Sequence, residues 1–412
     1  MIEIEARLSE LESLGLQRMT RHVSGPQGPR VVLDGKPVLL LCSNNYLGLA
    51  DHHRVRTAAA DAAMRWGAGA GASRLVSGTM TPHKRLEERL AAFKGRESAL
   101  LFGSGYLANM GVIAALARPG DVVFSDALNH ASIVDGCRMS RADTFVYDHG
   151  DLDHLEWGIE QAEGRGALIV TDSVFSMDGD VAPLVGLAEV AANHRVRLVV
   201  DEAHATGTVG PDGRGAVALT GLEEQVDVTI GTLGKALGSY GAFVVCERAM
   251  ARYLVNAART FIFSTAPSPP SAAAALAALE LLEERPYRVA KLQANAAALR
   301  SELELMGFDI GGSRTHIVPL IVGDAERAVR LCEAALQRDI FAQAIRPPTV
   351  PPQTSRLRLS VMASHSQAEL RAAARALAEA ARDCGLEPSP PGRLPLDDRD
   401  ELGSDDSLAR AA

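Results

Sequence analysis

Two short segments combine small residues with one reactive side chain each. Asp201 closes the apolar run Arg197–Val200 and opens Asp201-Glu-Ala-His204-Ala-Thr-Gly207. A second apolar run, Val226–Ile230, leads into Gly231-Thr-Leu-Gly234-Lys235-Ala-Leu-Gly238, in which glycines surround a lysine 34 residues after the aspartate. The chain holds only five lysines (Lys36, Lys84, Lys94, Lys235, Lys291) against 37 arginines, so lysine chemistry has few candidates. An amine buried among apolar neighbours has a lowered pKa and can form a Schiff base. The glycine pattern is not a P-loop, because Thr229 and Ala236 stand where that motif needs Gly and Ser/Thr. Asp201 alone would be read as a helix cap or turn residue. Beside a turn-borne lysine it takes on another meaning. Pyridoxal phosphate needs a lysine for its aldehyde, a carboxylate facing its pyridine nitrogen, and phosphate donors from a glycine-rich helix start and hydroxyls. Gly105-Tyr106, Thr232 and the Ser264-Thr265 pair could be those donors, and His130 could stack on the ring.

Gly103-Ser-Gly105-Tyr106-Leu-Ala108 remains open to three readings. It is a tight strand–helix turn, the phosphate site of a cofactor other than NAD, or a dinucleotide fingerprint with Asp126 as the ribose acid. His130 and His204 lack the spacing of metal ligands, so no metal is expected. His52, His53, His149, His154 and His194 have no partner pattern and are expected at the surface.

Such residues need strand ends to hold them. Apolar runs predict strands at Ala99–Phe102, Val122–Ser125, Thr144–Tyr147, Ala167–Thr171, Arg197–Asp201, Val226–Ile230 and Ala242–Cys246. Helical patterns at His83–Phe93, Leu107–Ala117, Ile133–Arg138, Leu152–Glu163 and Leu187–His194 lie between most of them. The alternation predicts an α/β protein with a mostly parallel seven-stranded sheet, whose sites lie beyond the carboxyl ends of its strands.

Outside that region, a helix over Ile2–Gly15 and an Asp34-Gly35 hairpin form an N-terminal arm, residues 1–45. The large domain is expected over residues 46–285, ending in a helix at Ser271–Glu284. A smaller α/β domain spans 286–387, with helices at Val289–Met306, Ala325–Gln337 and Gln367–Cys384 and strands at Ile317–Val322 and Arg356–Val361. Residues 388–412, proline-rich and then acidic, are expected to be disordered.

The 412 residues are 47% hydrophobic and 23% charged, ordinary values for a globular protein. A net charge of −9 argues against non-specific nucleic-acid binding. No apolar run approaches the ~20 residues of a membrane span. Five scattered cysteines without a CxxC fit a reducing cytoplasm, and the N-terminus lacks the apolar stretch of a signal peptide.

With these residues in view, the chain resembles the α-oxoamine synthases, fold-type I pyridoxal-phosphate enzymes that condense an amino acid with an acyl thioester and release CO2. The resemblance runs from about Gly15 to Cys384. It is carried by Ser43-Asn-Asn-Tyr-Leu-Gly-Leu49, Ser73-Arg-Leu-Val-Ser-Gly-Thr79, Phe102-Gly-Ser-Gly-Tyr106, Asn129-His130-Ala-Ser132, Val174-Phe-Ser-Met-Asp-Gly179, Asp201-Glu-Ala-His204, Gly231-Thr-Leu-Gly-Lys235, and Arg346-Pro-Pro-Thr349 with Arg356-Leu-Arg358. It implies that Lys235 forms the Schiff base and moves the Cα proton, Asp201 pairs with the pyridinium, and His130 stacks on the ring. His204 and Ser176 would bond the phenolic oxygen. Thr232 and the Gly105-Tyr106 backbone would hold the phosphate, with Thr265 reaching the phosphate of a neighbouring subunit in a homodimer. Arg358 would take the amino acid carboxylate, Arg346 and Thr349 would lie along the acyl chain, and Arg18 or Arg21 would meet a distal carboxylate. Ser73–Thr79 and Ile345–Pro351 are most similar to the branch that joins L-alanine to a pimeloyl thioester, carried on CoA or a carrier protein. Gly234–Gly238 is nearer to the branch that joins glycine to acetyl-CoA. An NAD-dependent oxidoreductase built on Gly103–Ala108 is the alternative from another class.

Overall fold

The computed structural model describes residues 4–13 and 17–386. The expected tail at 388–412 lies outside them, as do both ends of the helix expected over Ile2–Gly15, whose described part is Ile4–Ser13. Near the N-terminus come β1 (Val23–Ser24), β2 (Arg30–Leu33) and β3 (Lys36–Leu40). The seven central strands follow: β4 (Ser98–Phe102), β5 (Val122–Asp126), β6 (Asp143–Tyr147), β7 (Gly166–Asp172), β8 (Arg197–Asp201), β9 (Val228–Thr232) and β10 (Ala242–Cys246). They form one sheet in the order β4-β10-β9-β8-β7-β5-β6. All seven expected strands are present.

The sheet is parallel from β9 to β6, because helices carry the chain back between strands. Alternate residues feed opposite faces. Val123, Leu168 and Val199 pack with the helices Gly105–Leu116 and Ala131–Ser140, whereas Phe124, Ile169 and Leu198 pack with Leu152–Gln161 and Leu184–His194. β10 is the exception and runs antiparallel to both neighbours. Only residues 233–241 join it to β9, too few for the crossover of about a dozen residues that a parallel return needs. Lys235 lies in this reversal. Gly238, at φ +59°, lets the turn pack onto Leu49-Ala50, where a Cβ would stand 2.4 Å from the Ala50 nitrogen.

The C-terminal strands are β11 (Ile317–Gly323), β12 (Ile340–Phe341), β13 (Gln343–Ile345) and β14 (Ser355–Ser360). β11, β14 and β13 form a sheet, while β12 pairs with β3 and completes the N-terminal sheet. One apolar cluster includes Leu41, Leu90 and Leu279 together with Leu292, Leu357 and Leu377, so packing is continuous across residue 285. The helix His53–Trp66 has no counterpart among the sequence expectations. It buries only Val55 and Ala62 and packs against the alanine-rich helix Pro269–Glu284, a contact that leaves no strong apolar stripe.

Candidate active site

Strand register brings the carboxylates together. Asp172 and Asp201 end adjacent strands as direct partners in the β7–β8 ladder. Asp201 is buried, and its oxygens accept from the Ala203 main-chain N–H (2.7 Å) and from Asn109 Nδ2 (2.6 Å). Asn109 also donates to Ser132 Oγ (2.8 Å), which lies 2.7 Å from His130 Nδ1. The His130 main-chain N–H donates to Asp172 Oδ2 at 2.8 Å. Burial, and then the charge of Asp201, push the Asp172 carboxyl well above the usual carboxylate range. Burial lowers His130, against the pull of Asp201.

The Lys235 amine meets His204 Nε2 at 2.7 Å. Burial lowers its pKa from 10.5 to about 8, with Asp201 and Asp172 opposing the shift and Arg358 adding to it. Burial, reinforced by Lys235 and Arg358, holds His204 well below its ordinary value and therefore neutral. Behind it, His204 Nδ1 lies 2.7 Å from the hydroxyl of Tyr46, a fully buried ring. The buried Arg358 guanidinium donates through Nη2 to that hydroxyl (3.3 Å), through Nη1 to Asn44 Oδ1 (3.2 Å) and Ser360 Oγ (3.0 Å), and through Nε to the Ser176 carbonyl. Lys235, Asp201, His204, His130, Ser176 and Arg358 thus belong to one cluster at the carboxyl ends of the strands. Asn44, Tyr46, Asn109 and Asp172 join them there without having been picked out as site residues. The only signal for the first two was the Ser43–Leu49 motif.

The remaining expected residues divide. Thr232 Oγ1 donates to the Gly241 carbonyl (3.1 Å) and accepts from the Gly234 N–H (3.2 Å), which braces the lysine turn. Gly105 opens its helix behind the Ser104 cap, and the half-exposed Tyr106 bonds Asp135 through its hydroxyl. Thr265 forms an isolated antiparallel bridge with Ser73, and no side-chain hydrogen bond ties it to the Lys235 cluster among the described residues. Arg346 donates to the Gln17 carbonyl (2.8 Å), next to the exposed Arg18, and the exposed Thr349 lies on the same turn. Arg21 forms an exposed ion pair with Asp34 at 3.3 Å.

Two expectations need correction. His149 lies at the surface as expected but is not without partners: its ring stands edge-on to Phe175, with Nδ1 2.9 Å from Asp126 and Nε2 2.8 Å from Asp180. Hydrogen bonds to those carboxylates raise its pKa from 6.5 to about 10. The dinucleotide reading of Gly103–Ala108 also fails. Asp126 is engaged by His149 and by the Gly150 N–H (3.0 Å), and five strand steps, roughly 24 Å, separate β4 from β5. Among the described residues no three His, Cys, Asp or Glu side chains converge to hold a metal. The donor set does fit pyridoxal phosphate, with a lysine amine of lowered pKa and a buried carboxylate fixed by two donors on neighbouring strand ends.

The chain is similar to known proteins over most of its length. The aminotransferase class I and II family matches residues 36–377. An 8-amino-7-oxononanoate synthase of Citrifermentans bemidjiense is 51% identical over 383 residues, covering 92% of this chain and 98% of that protein. One from Geobacter sulfurreducens is 50% identical over 386 residues, covering 93% and 99%. Among solved structures, a serine palmitoyltransferase from S. paucimobilis with a bound PLP–myriocin aldimine superposes with a TM-score of 0.88 at 32% identity, covering 93% of this chain and 98% of that one. An 8-amino-7-oxononanoate synthase from Francisella tularensis gives 0.73 at 27%, covering 84% and 98%. The chain belongs to the aminotransferase class I and II family, in its α-oxoamine synthase branch.

Proposed function

We propose that the chain condenses L-alanine with a pimeloyl thioester, on CoA or a carrier protein, to form 8-amino-7-oxononanoate, CO2 and the free thiol, with pyridoxal phosphate as cofactor. The observation that carries the chemistry is the Lys235 amine, 2.7 Å from His204 in a cluster shared with Asp201 and Arg358. The acyl group is supported by the names of relatives about half identical over nearly their whole length.

Lys235 and Asp201 would hold the cofactor from two sides, with His130 against its ring, His204 and Ser176 at its phenolic oxygen, and Thr232 and the Gly105-Tyr106 backbone at its phosphate. When bound, pyridoxal phosphate supplies an electron-accepting ring for the carbanion at Cα and for the electrons that CO2 leaves behind. Asp201, fixed by two donors, would face the pyridine nitrogen and favour a proton there. Arg358 turns the amino acid by its carboxylate, since a guanidinium pairs with a carboxylate through two parallel bonds. Lys235 takes the Cα proton, and an amine with a pKa near 8 is present as free base at ordinary pH to a far greater extent than one near 10.5. Arg346, with Arg18 or Arg21 of the N-terminal arm and Thr349, is available to the acyl chain.

A homodimer would complete the site. Val76 (80% exposed) follows and Phe263 (71% exposed) precedes the partners of the Ser73–Thr265 bridge, apolar surface that a second copy would cover while bringing its Thr265 to the phosphate. A cytoplasmic location suits the five free cysteines. Among the described residues no helix is long and apolar enough to cross a membrane.

The test is turnover of purified protein against a panel of amino acids and acyl thioesters. L-alanine with pimeloyl-CoA should give the highest kcat/KM. Faster turnover of glycine with acetyl-CoA would assign the chain to the sibling reaction.

A further inference from the structure

We infer that Tyr46 is a positioning residue that fixes the proton of His204 on Nδ1 and so turns a bare Nε2 toward Lys235. The inference rests on the cofactor reading above for its catalytic meaning, but its geometry stands in the chain's own residues.

The proton inventory starts at Arg358. A guanidinium only donates, so the Asn44 amide atom 3.2 Å from Arg358 Nη1 is the oxygen. That oxygen lies 2.8 Å from the Tyr46 hydroxyl, and two oxygens at that distance need a proton between them. Since Asn44 Oδ1 has none, Tyr46 donates its single proton there. Tyr46 then has none left for His204, 2.7 Å away on its other side, so His204 Nδ1 must carry the hydrogen and donate. In a neutral imidazole the other nitrogen is then bare. Nε2 faces Lys235 at 2.7 Å as an acceptor, and the amine donates to it. Arg358 Nη2 also donates to the Tyr46 oxygen at 3.3 Å, a contact compatible with that direction.

One consequence is orientation. An amine N–H held on Nε2 sets where the nitrogen's lone pair points, and an amine is a nucleophile or base only along its lone pair. A second is coupling. Three hydrogen bonds join the residue that would hold the substrate carboxylate to the one that would move the substrate proton: Arg358 to Tyr46, Tyr46 to His204, His204 to Lys235.

The test uses the full chain without added cofactor, with its histidines labelled with 15N in the imidazole ring and His204 assigned by its loss in His204→Asn. Wild type should show a protonated Nδ1 and a bare Nε2. Tyr46→Phe keeps the ring that packs against His316 and removes only the oxygen, and it should move the proton to Nε2. The pH midpoint for trapping Lys235 with pyridoxal phosphate and borohydride should then fall by about one unit, because the ammonium has lost its acceptor. Asn44 offers an independent pair should Tyr46→Phe fold poorly. Asn44→Leu frees the tyrosine proton to turn toward His204 and should also move the imidazole proton to Nε2, whereas Asn44→Asp keeps an acceptor and the wild-type pattern. A wild-type proton on Nε2, or an unchanged pattern in both Tyr46→Phe and Asn44→Leu, would overturn the inference. Pyridoxyl label on a lysine other than Lys235 would instead sink the cofactor reading and leave the tautomer result standing.

Discussion

A buried amine is least costly when neutral, and Lys235 and Lys94 meet that cost differently. Lys94 is clamped by Glu202, Thr206 (2.8 Å) and the Arg214 carbonyl. Lys235 has one neutral partner, His204, and a pKa near 8 instead of 10.5. The folded state therefore releases the Lys235 proton earlier than the unfolded chain does. Between pH 8 and 10.5 the unfolded chain binds more protons, so this group's destabilising effect is full below 8 and fades as pH rises to 10.5. Chemically, borohydride trapping with pyridoxal phosphate should label Lys235 alone and half-maximally near pH 8; a midpoint above 10 would contradict the burial argument. Asp201→Asn removes the charge opposing that shift and sets an amide against Asn109. We expect kcat to fall at least ~10²-fold, the scale of a lost electrostatic partner, with the cofactor still bound in part. Lys235 and Asp201 were legible because each interrupts a run of small or apolar residues. Tyr46 was not assigned a role, because its partners His204 and Arg358 lie 158 and 312 residues away and only tertiary structure joins them.

At the scale of elements, the loop Val174–Asp180 after β7 is held from two sides. Arg358 and Arg356 of β14 bind the Ser176 carbonyl and Asp178, and Thr315 Oγ1 donates to the Gly179 carbonyl at 2.9 Å. On the other side the His149 cation joins Asp180 to the buried Asp126. With its folded pKa raised to about 10, His149 contributes stability that is fully present below pH 6.5 and lost as pH climbs through 10. His149→Gln keeps hydrogen-bonding atoms but leaves Asp126 without its cation. We expect a loss of roughly 2 kcal/mol at neutral pH, below the 3–5 of a fully buried pair because the ring is partly exposed, and a flatter stability profile between pH 6.5 and 10 in denaturant titrations. An equal loss at pH 11 would show that packing on Phe175, not charge, is responsible. The clasp escaped sequence reading because Asp126, His149 and Asp180 share no short motif. The strands themselves were legible because burial on both faces makes them continuous apolar runs.

For the molecule as a whole, the proposed acyl-binding residues lie on parts outside the central sheet. Arg346 reaches the chain at Gln17, beside Arg18, so the residues proposed for a distal carboxylate come from opposite ends of the sequence. Arg346→Ala should raise KM for pimeloyl-CoA about 10-fold, the ~1.4 kcal/mol of a partly exposed charge-assisted contact, with kcat nearly unchanged. An uncharged acyl-CoA of similar length should be unaffected, and an equal rise for both would assign Arg346 to the arm's structure. The β3–β12 pairing that unites these ends was beyond the sequence, since a two-residue strand carries no periodicity.

The antiparallel place of β10 also sets a schedule for synthesis. Among the described residues β4 has β10 as its only neighbour, and Ala242 follows Phe102 by 140 residues. At ~5–20 residues per second the ribosome leaves β4 unpaired for roughly 7–28 s, an apolar strand with both edges open to other nascent chains. The strand that ends this exposure arrives on the same hairpin as the Lys235 turn. A nascent chain therefore gains its amine and covers this open edge in a single event.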